Sequence, residues 1–382
     1  MKKLLFLLSI LCLTPLALAD CVDLNNPDTY GTKINPWSPT TLEVTHNATL
    51  CPGTYALDGG LVVSNLFVTL DCDGATLVGN GGGVGVYIGR SASMPYSYQP
   101  YITVKNCNIQ NYHHGMIVNL AYYNTIENNN ITGSSTGFTV TGAKYNVIRN
   151  NRIISGSYNG LTLERSPEGW RSEFNEFSGN TIEGFAKKGV ELNQVDNNTF
   201  TGNTIRNNAE YGIYSFNSNN NLIYNNLFEN GNNAYSAGSS NNWSIAKTPG
   251  ANIIGGDQLG GNSWSDYAGT DADNDGIGDT PYTFGSSSDP LPLIVSPCPG
   301  AVVCPDGTCV DTAADCPQPQ NQTQNASQQT ATLPWQGELP EKNMNLTLGN
   351  QSQNGTSNEY RGMMRDLLEA IIAFFKSLLG MQ

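Results

Sequence analysis

Positive charge is in short supply in this chain: 18 Lys and Arg stand against 32 Asp and Glu among 382 residues. A net charge of −14, or −16 once Lys2 and Lys3 leave with a leader, disfavours nucleic acid and anionic lipid as partners of the body of the protein, and nucleic-acid binding is set aside. Histidine is limited to His46 and the dipeptide His113-His114, which reads as a solvated turn before Gly115. Between Tyr101 and Asn233 no apolar run is long enough for a helix, which removes the all-α and α/β classes for that stretch.

That stretch instead repeats one phrase: an Asn, an apolar residue two later, a pair ending in Asn, then another apolar residue. The copies are Asn124-Thr-Ile-Glu-Asn-Asn-Asn-Ile131, Asn146-Val-Ile-Arg-Asn-Asn-Arg-Ile153, Asn175-Glu-Phe-Ser-Gly-Asn-Thr-Ile182, Asn198-Thr-Phe-Thr-Gly-Asn-Thr-Ile205 and Asn221-Leu-Ile-Tyr-Asn-Asn-Leu-Phe228. The second Asn falls at 129, 151, 180, 203 and 226, with Cys107 in the same slot one copy earlier. The steps are 22, 22, 29, 23 and 23, the longest carrying an insertion from Arg165 to Glu173. A Gly followed by alternating apolar residues comes eight or nine positions later, as in Gly137-Phe-Thr-Val140 and Gly189-Val-Glu-Leu192. Each repeat therefore holds at least two short strands.

A period near 22 built of strands means a solenoid, whose strands pair only with the coils above and below, about 4.8 Å away. The predicted fold is all-β, a single-chain right-handed parallel β-helix, the hand following from the crossover rule. Alternation points Ile126, Ile131, Phe138 and Val140 inward together with Asn124 and Asn129. Inward Asn at the corners stack into ladders whose amides satisfy backbone groups left unpaired by the turns.

These residues resemble a known family. Leu70-Asp-Cys-Asp-Gly74 followed by Val104-Lys-Asn-Cys107, the Asn coils, and Gly261-Asn-Ser-Trp-Ser-Asp-Tyr267 leading into Asp271-Ala-Asp-Asn-Asp-Gly-Ile-Gly-Asp279-Thr-Pro-Tyr282 are similar to the NosD-like right-handed parallel β-helix family of the pectin lyase-like superfamily, over roughly residues 50 to 294. The resemblance implies the fold. It leaves function open, since the family includes copper-insertion accessories, surface-layer proteins and sugar-binding modules. With three His and seven Met, the chain offers little for a copper role.

Met1-Lys-Lys3, the apolar run Leu4 to Leu13 and Ala17-Leu-Ala19 form a secretory signal over 1–19, so the protein is expected to be secreted, extracellular or displayed on the cell surface. Nine Cys become eight when Cys12 leaves, an even number that in an exported chain implies disulfides. Cys72 and Cys107 occupy near-equivalent slots of adjacent coils, whose spacing of about 4.8 Å suits a disulfide, and this pairs Cys21 with Cys51. Cys298, Cys304, Cys309 and Cys316 lack the paired Cys-x2-Cys knuckles of zinc sites and read as a two-disulfide module over 297–317, with three pairings open.

The remaining divisions are an N-terminal cap over 20–66, the β-helix over 67–296, a disordered linker over 318–358 and an amphipathic helix over 359–382. The linker holds sequons at Asn321, Asn325, Asn345, Asn350 and Asn354, and Asn47, Asn130, Asn197 and Asn242 add four more, so glycosylation is expected where the host performs it. In the final helix the apolar residues of 360–379 form a broad face. Its longest uncharged run is too short to span a bilayer, leaving peripheral membrane attachment or self-association.

Three outward features invite chemistry. Tyr101, Tyr123, Tyr145 and Phe174 recur one coil apart, as a sugar platform or as cross-strand stabilisers. Glu164 and Glu191, one coil apart and two residues offset, are about 8 Å apart by sheet spacings, inside the window of about 6.5–9.5 Å for inverting glycosidases. Lys188 and Arg165 nearby are candidate bases for a lyase. Asp271, Asp273, Asp275 and Asp279, with Gly276 at the sixth position, are spaced as oxygen ligands for calcium, although Tyr282 replaces the bidentate Glu of an EF-hand. The leading expectation is a non-catalytic, calcium-stabilised β-helix that is structural or binds cell-envelope glycans. The alternative is a polysaccharide lyase or glycoside hydrolase using Glu164 and Glu191.

Overall fold

The computed structural model describes residues 21–89, 100–294, 302–304, 309–310 and 315–316. The leader, the linker, the amphipathic helix, Cys298 and most of the loop between Ile88 and Tyr101 lie outside the described residues. Three parallel sheets wrap one core, one of ten strands (sheet 1) and two of nine (sheets 2 and 3). A typical coil contributes Thr125–Glu127 to sheet 2, Asn130–Thr132 to sheet 3 and Thr136–Thr141 to sheet 1. Each pairs in register with the next coil, as in Ile126↔Ile148 and Ile131↔Ile153. The fold is a right-handed parallel β-helix.

A bend inside the Asn phrase, one that hydrophobic alternation does not reveal, divides it into two strands. The first residue of each pair stands in the left-handed region, at Asn106, Asn128, Asn150, Gly179, Gly202 and Asn225 (φ 54–66°). Only Gly and, among L-residues, Asn visit this region cheaply, which explains why the slot holds nothing else. The chain thereby turns its next residue inward. Asn129, Asn151, Asn180, Asn203, Asn226 and Asn262 are buried and form one continuous amide ladder. Each Oδ1 accepts the backbone N–H and the amide of the preceding rung. Each Nδ2 also donates to a main-chain carbonyl, as Asn180 does to Ile148 at 2.8 Å. A second ladder joins Asn124, Asn146, Asn175, Asn198, Asn221 and Asn241, and a shorter third joins Asn208, Asn230 and Asn233. Ile126, Ile131, Phe138 and Val140 are fully buried beside them, and Phe177 stacks on Phe200 at 4.6 Å.

The aromatic column stands at the corner just before the second ladder rather than on a strand face. Phe67, Tyr101, Tyr123, Tyr145 and Phe174 all have positive φ (58–64°) and stack at centroid distances of 4.9–5.5 Å. Rings stacked on one another spend their faces on their neighbours, so the inner ones present edges, not platforms, to a sugar. Stacking also offsets the cost of holding bulky residues in a left-handed conformation. Tyr145→Ala is expected to lose about 1–3 kcal/mol, and Tyr145→Gly less, because glycine accepts the turn that alanine resists; urea unfolding of the two variants checks the order.

Sheet 1 opens with the antiparallel hairpin Ile34–Ser38 and Thr41–Val44. Coil pairing already begins with Thr41–Val44 on Leu61–Val63, inside the segment assigned to the cap. Disulfides join Cys21 to Cys51 and Cys72 to Cys107, with Cα atoms 4.8 and 4.7 Å apart, and Cys304 to Cys316. At the far end Trp243, Trp264 and Phe284 bury against the last coil, with Tyr267 and Tyr282 partly buried against the core. Asp289 terminates the first Asn ladder: its Oδ2 accepts from Asn262 N (2.7 Å) and Trp264 Nε1 (2.9 Å), and its Oδ1 from Leu291 N (3.0 Å).

Candidate functional site

The outward face of sheet 1 collects the polar residues that follow each Gly. In-register pairing aligns Tyr87, Ile117, Thr139, Thr162, Glu191, Tyr214 and Tyr235 in one column and Asn119, Thr141, Glu164, Asn193 and Phe216 in the next. Thr139, Thr141 and Thr162 are buried although they point outward from the core, sunk between longer neighbours.

Glu164 and Glu191 stand in the offset expected, but they are committed to different partners. Glu164 Oε1 accepts from Thr141 Oγ1 at 3.1 Å, on the preceding coil. Glu191 Oε1 takes the ammonium of Lys188 at 2.7 Å, and its Oε2 takes Nδ2 of Asn159 at 2.6 Å. Lys188 in turn lies over the Tyr214 ring, 4.2 Å from its centroid. Arg165 donates to Gly169 O, within the insertion that carries the exposed Trp170. The carboxylates thus hold a lysine and an amide on one side and a threonine on the other. Asn159 was not visible as a site residue from sequence. Its pairing with Lys188 spans the 29-residue step and appears only once the insertion is discounted.

His114 is not the solvated turn expected. It opens the strand His114–Asn119, half-buried, with Nδ1 3.1 Å from Thr139 Oγ1. Burial, with His113 adding to it, holds its pKa below the usual imidazole value.

The Asp loop brings ligand atoms of Asp271, Asp273 and Asp275 within 4.8 Å of one another. Asp271 accepts from the N–H groups of Asp275 (3.0 Å) and Gly276 (2.9 Å), Asp275 from Ile277 N (2.8 Å), and Gly276 reverses the chain at φ 81°. Asp279 is engaged elsewhere, accepting from Ala272 N at 2.7 Å. Lys247, which spacing could not reveal, forms an ion pair with Asp275. Local desolvation and then the carboxylates of Asp275, Asp271 and Asp279 push the Asp273 pKa up, the response of crowded like charges that favour uptake of a cation or a proton.

Residues 85–269 match the family described as "Periplasmic copper-binding protein (NosD)". No curated protein matches the sequence. Solved structures similar to this chain include the Azotobacter vinelandii mannuronan C-5 epimerase AlgE6 A-module, 17% identical over 52% of this chain and 68% of that one with a TM-score of 0.36. The periplasmic alginate epimerase AlgG is 12% identical over 56% and 71% (TM-score 0.31). The enzymatically active domain of bacteriophage CBA120 tailspike protein 2 is 13% identical over 58% and 44% (TM-score 0.31). At these identities the likeness does not extend beyond the fold.

Copper does not fit the donors present. Among the described residues the cysteines of Cys21–Cys51, Cys72–Cys107 and Cys304–Cys316 are oxidised, and the group of three metal-competent side chains is all-carboxylate, a hard oxygen set that suits calcium or magnesium. No helix among the described residues is long and apolar enough to cross a membrane. The Asn-cornered coils form a right-handed parallel β-helix, and over residues 85–269 that helix is similar to the NosD family.

Proposed function

We propose that this is an exported, non-catalytic β-helix protein, held at or released from the cell surface, that presents the outward face of sheet 1 to envelope glycans and is stabilised by calcium in the Asp loop. The observation that carries the reading is the engagement of Glu164 and Glu191 with separate partners, which leaves neither free to act with the other as acid and base. Around them the face offers ring and hydroxyl chemistry that binds sugars without cleaving them: Tyr235 and Phe216 are exposed on it, beside Tyr214. The leader, the disulfides and the sequon-rich linker support export. The 318–358 linker and the 360–379 segment serve as stalk and attachment.

A glycan array tests the binding: retention of acidic or neutral polysaccharide is expected, and no retention leaves an envelope-building role alone. Release of unsaturated or reducing sugar, abolished by Glu164→Gln or Glu191→Gln, would reverse the reading. For the loop, calcium at ten times its dissociation constant is expected to add about 1.4 kcal/mol and raise the melting temperature by a few degrees, an increment that disappears in Asp273→Ala. Differential scanning calorimetry with calcium and with chelator reads it.

A further inference from the structure

We propose that Lys188 and Asn159 are joined by an intramolecular isopeptide bond, formed by the folded chain itself with Glu191 as the proton shuttle. Lys188 opens its strand of sheet 1 and Asn159 stands just before the neighbouring strand Leu161–Glu164, each two positions before the Leu161↔Val190 pair. Asn159 is fully buried, and the Lys188 and Glu191 side chains are only 17% and 16% exposed. Three of the roles that amide exchange requires have an atom in place. Glu191 Oε1 lies 2.7 Å from Lys188 Nζ, positioned to take the proton that keeps the amine from being a nucleophile. Glu191 Oε2 lies 2.6 Å from Asn159 Nδ2, the leaving group that must receive that proton. The backbone N–H of Lys188 donates to Asn159 Oδ1 at 3.3 Å, where negative charge builds as the carbonyl is attacked. One carboxylate thus bridges nucleophile and leaving group, and Thr162 Oγ1, 3.2 Å from Nδ2, completes the amide's setting.

The reaction balances without an oxidant or any added reagent. The neutral Nζ attacks Cγ of Asn159, forming the Nζ–Cγ bond. The tetrahedral adduct collapses with cleavage of Cγ–Nδ2: Glu191 gives its proton to the nitrogen that leaves, takes the second proton shed by Nζ as the amide forms, and passes it to the departing ammonia, which leaves as ammonium. The ring of Tyr214 lies over Lys188, with Tyr211 and Tyr235 beside it, and shields the adduct from hydrolysis. The product ties two successive coils through side chains, across the 29-residue step that carries the insertion from Arg165 to Glu173.

The test is mass spectrometry of the purified, folded chain after reduction and tryptic digestion. Expected is one branched species joining peptides 153–165 and 188–206, with no cleavage at Lys188 and a mass about 17 Da below their sum, the mass of ammonia. Glu191→Gln keeps the side-chain shape and is expected to yield 153–165 and 189–206 separately, cleavage after position 188 being restored, and Lys188→Arg the same. In Asn159→Asp the branched species is expected at about 18 Da below the sum, water being the leaving group. Wild-type peptides recovered unlinked and at full mass overturn the proposal, as does a branched species undiminished in Glu191→Gln. The outcome does not depend on whether the sheet 1 face binds glycans or the loop binds calcium.

Discussion

Asn180→Ala is expected to lower the unfolding free energy by about 3–5 kcal/mol, although Asn180 lies at a turn and its side chain touches no ligand. The estimate follows from the bonds that disappear. Asn180 Oδ1 accepts from both N and Nδ2 of Asn151, at 2.9 and 3.0 Å, and its Nδ2 donates to Ile148 O at 2.8 Å and to Asn203 Oδ1 at 3.0 Å. The main-chain N–H at position 180 keeps its bond to Asn203, but the N–H of Asn151 and the carbonyl of Ile148 lose partners in a region without solvent. Each such orphan costs about 1–3 kcal/mol. Asn180→Asp sharpens the test, because it preserves shape and the acceptor toward Asn151 while placing a second oxygen against two other acceptors. That variant is expected to be less stable at neutral than at acid pH, where a proton restores a donor. Asn232→Ala, at an exposed amide that donates to Glu210 O, is expected within about 0.5 kcal/mol of the parent. Urea titrations of the three variants give the comparison. Since coils interact only with neighbours, the Asn180 variants should also broaden the transition, the two halves of the solenoid melting less together.

The same ladder explains how much could be read from sequence. Period and inward Asn were legible because each coil repeats the same backbone problem, and the amide side chain that accepts and donates at that corner recurs at a fixed offset. The division of each phrase into two strands was not, since Asn128 and Asn129 look alike in a hydrophobic pattern and differ only in the sign of φ. The Asp loop was visible because its ligands are sequential, whereas Lys247, which pairs with Asp275, lies 28 residues away with no periodic mark. Glu164 and Glu191 were placed correctly on the sheet by counting, but counting gives positions and not partners. Thr141, Asn159 and Lys188 decide what those carboxylates do, and two of the three come from other coils.

Asp289 illustrates the limit of repeat-based reading and gives the second large effect. It belongs to no repeat, yet it occupies the place of a seventh rung, accepting from Asn262 as Asn262 accepts from Asn226. Burial drives its carboxyl up from 3.8 to about 6, outweighing the hydrogen bonds from Asn262, Trp264 and Leu291 that favour the charged form. The sign follows from proton counting. Between about pH 4 and 6 the folded chain holds a proton that the unfolded chain releases, so this group makes the protein more stable as pH falls through that window and less stable as it rises. The swing amounts to about 3 kcal/mol. Asp289→Asn, which keeps an acceptor for Asn262 N and Trp264 Nε1, is expected to remove the pH dependence, so the difference in unfolding free energy between parent and variant should grow in the parent's favour on acidification from pH 7 to 4. Asp289→Ala is expected to lose about 3–5 kcal/mol at all pH values, because Asn262 N, Trp264 Nε1 and Leu291 N are then buried without an acceptor. Denaturant unfolding of parent and both variants across that range measures the two effects separately. A parent curve parallel to that of Asp289→Asn would mean that the carboxylate stays ionised and the end of the ladder is held by charge.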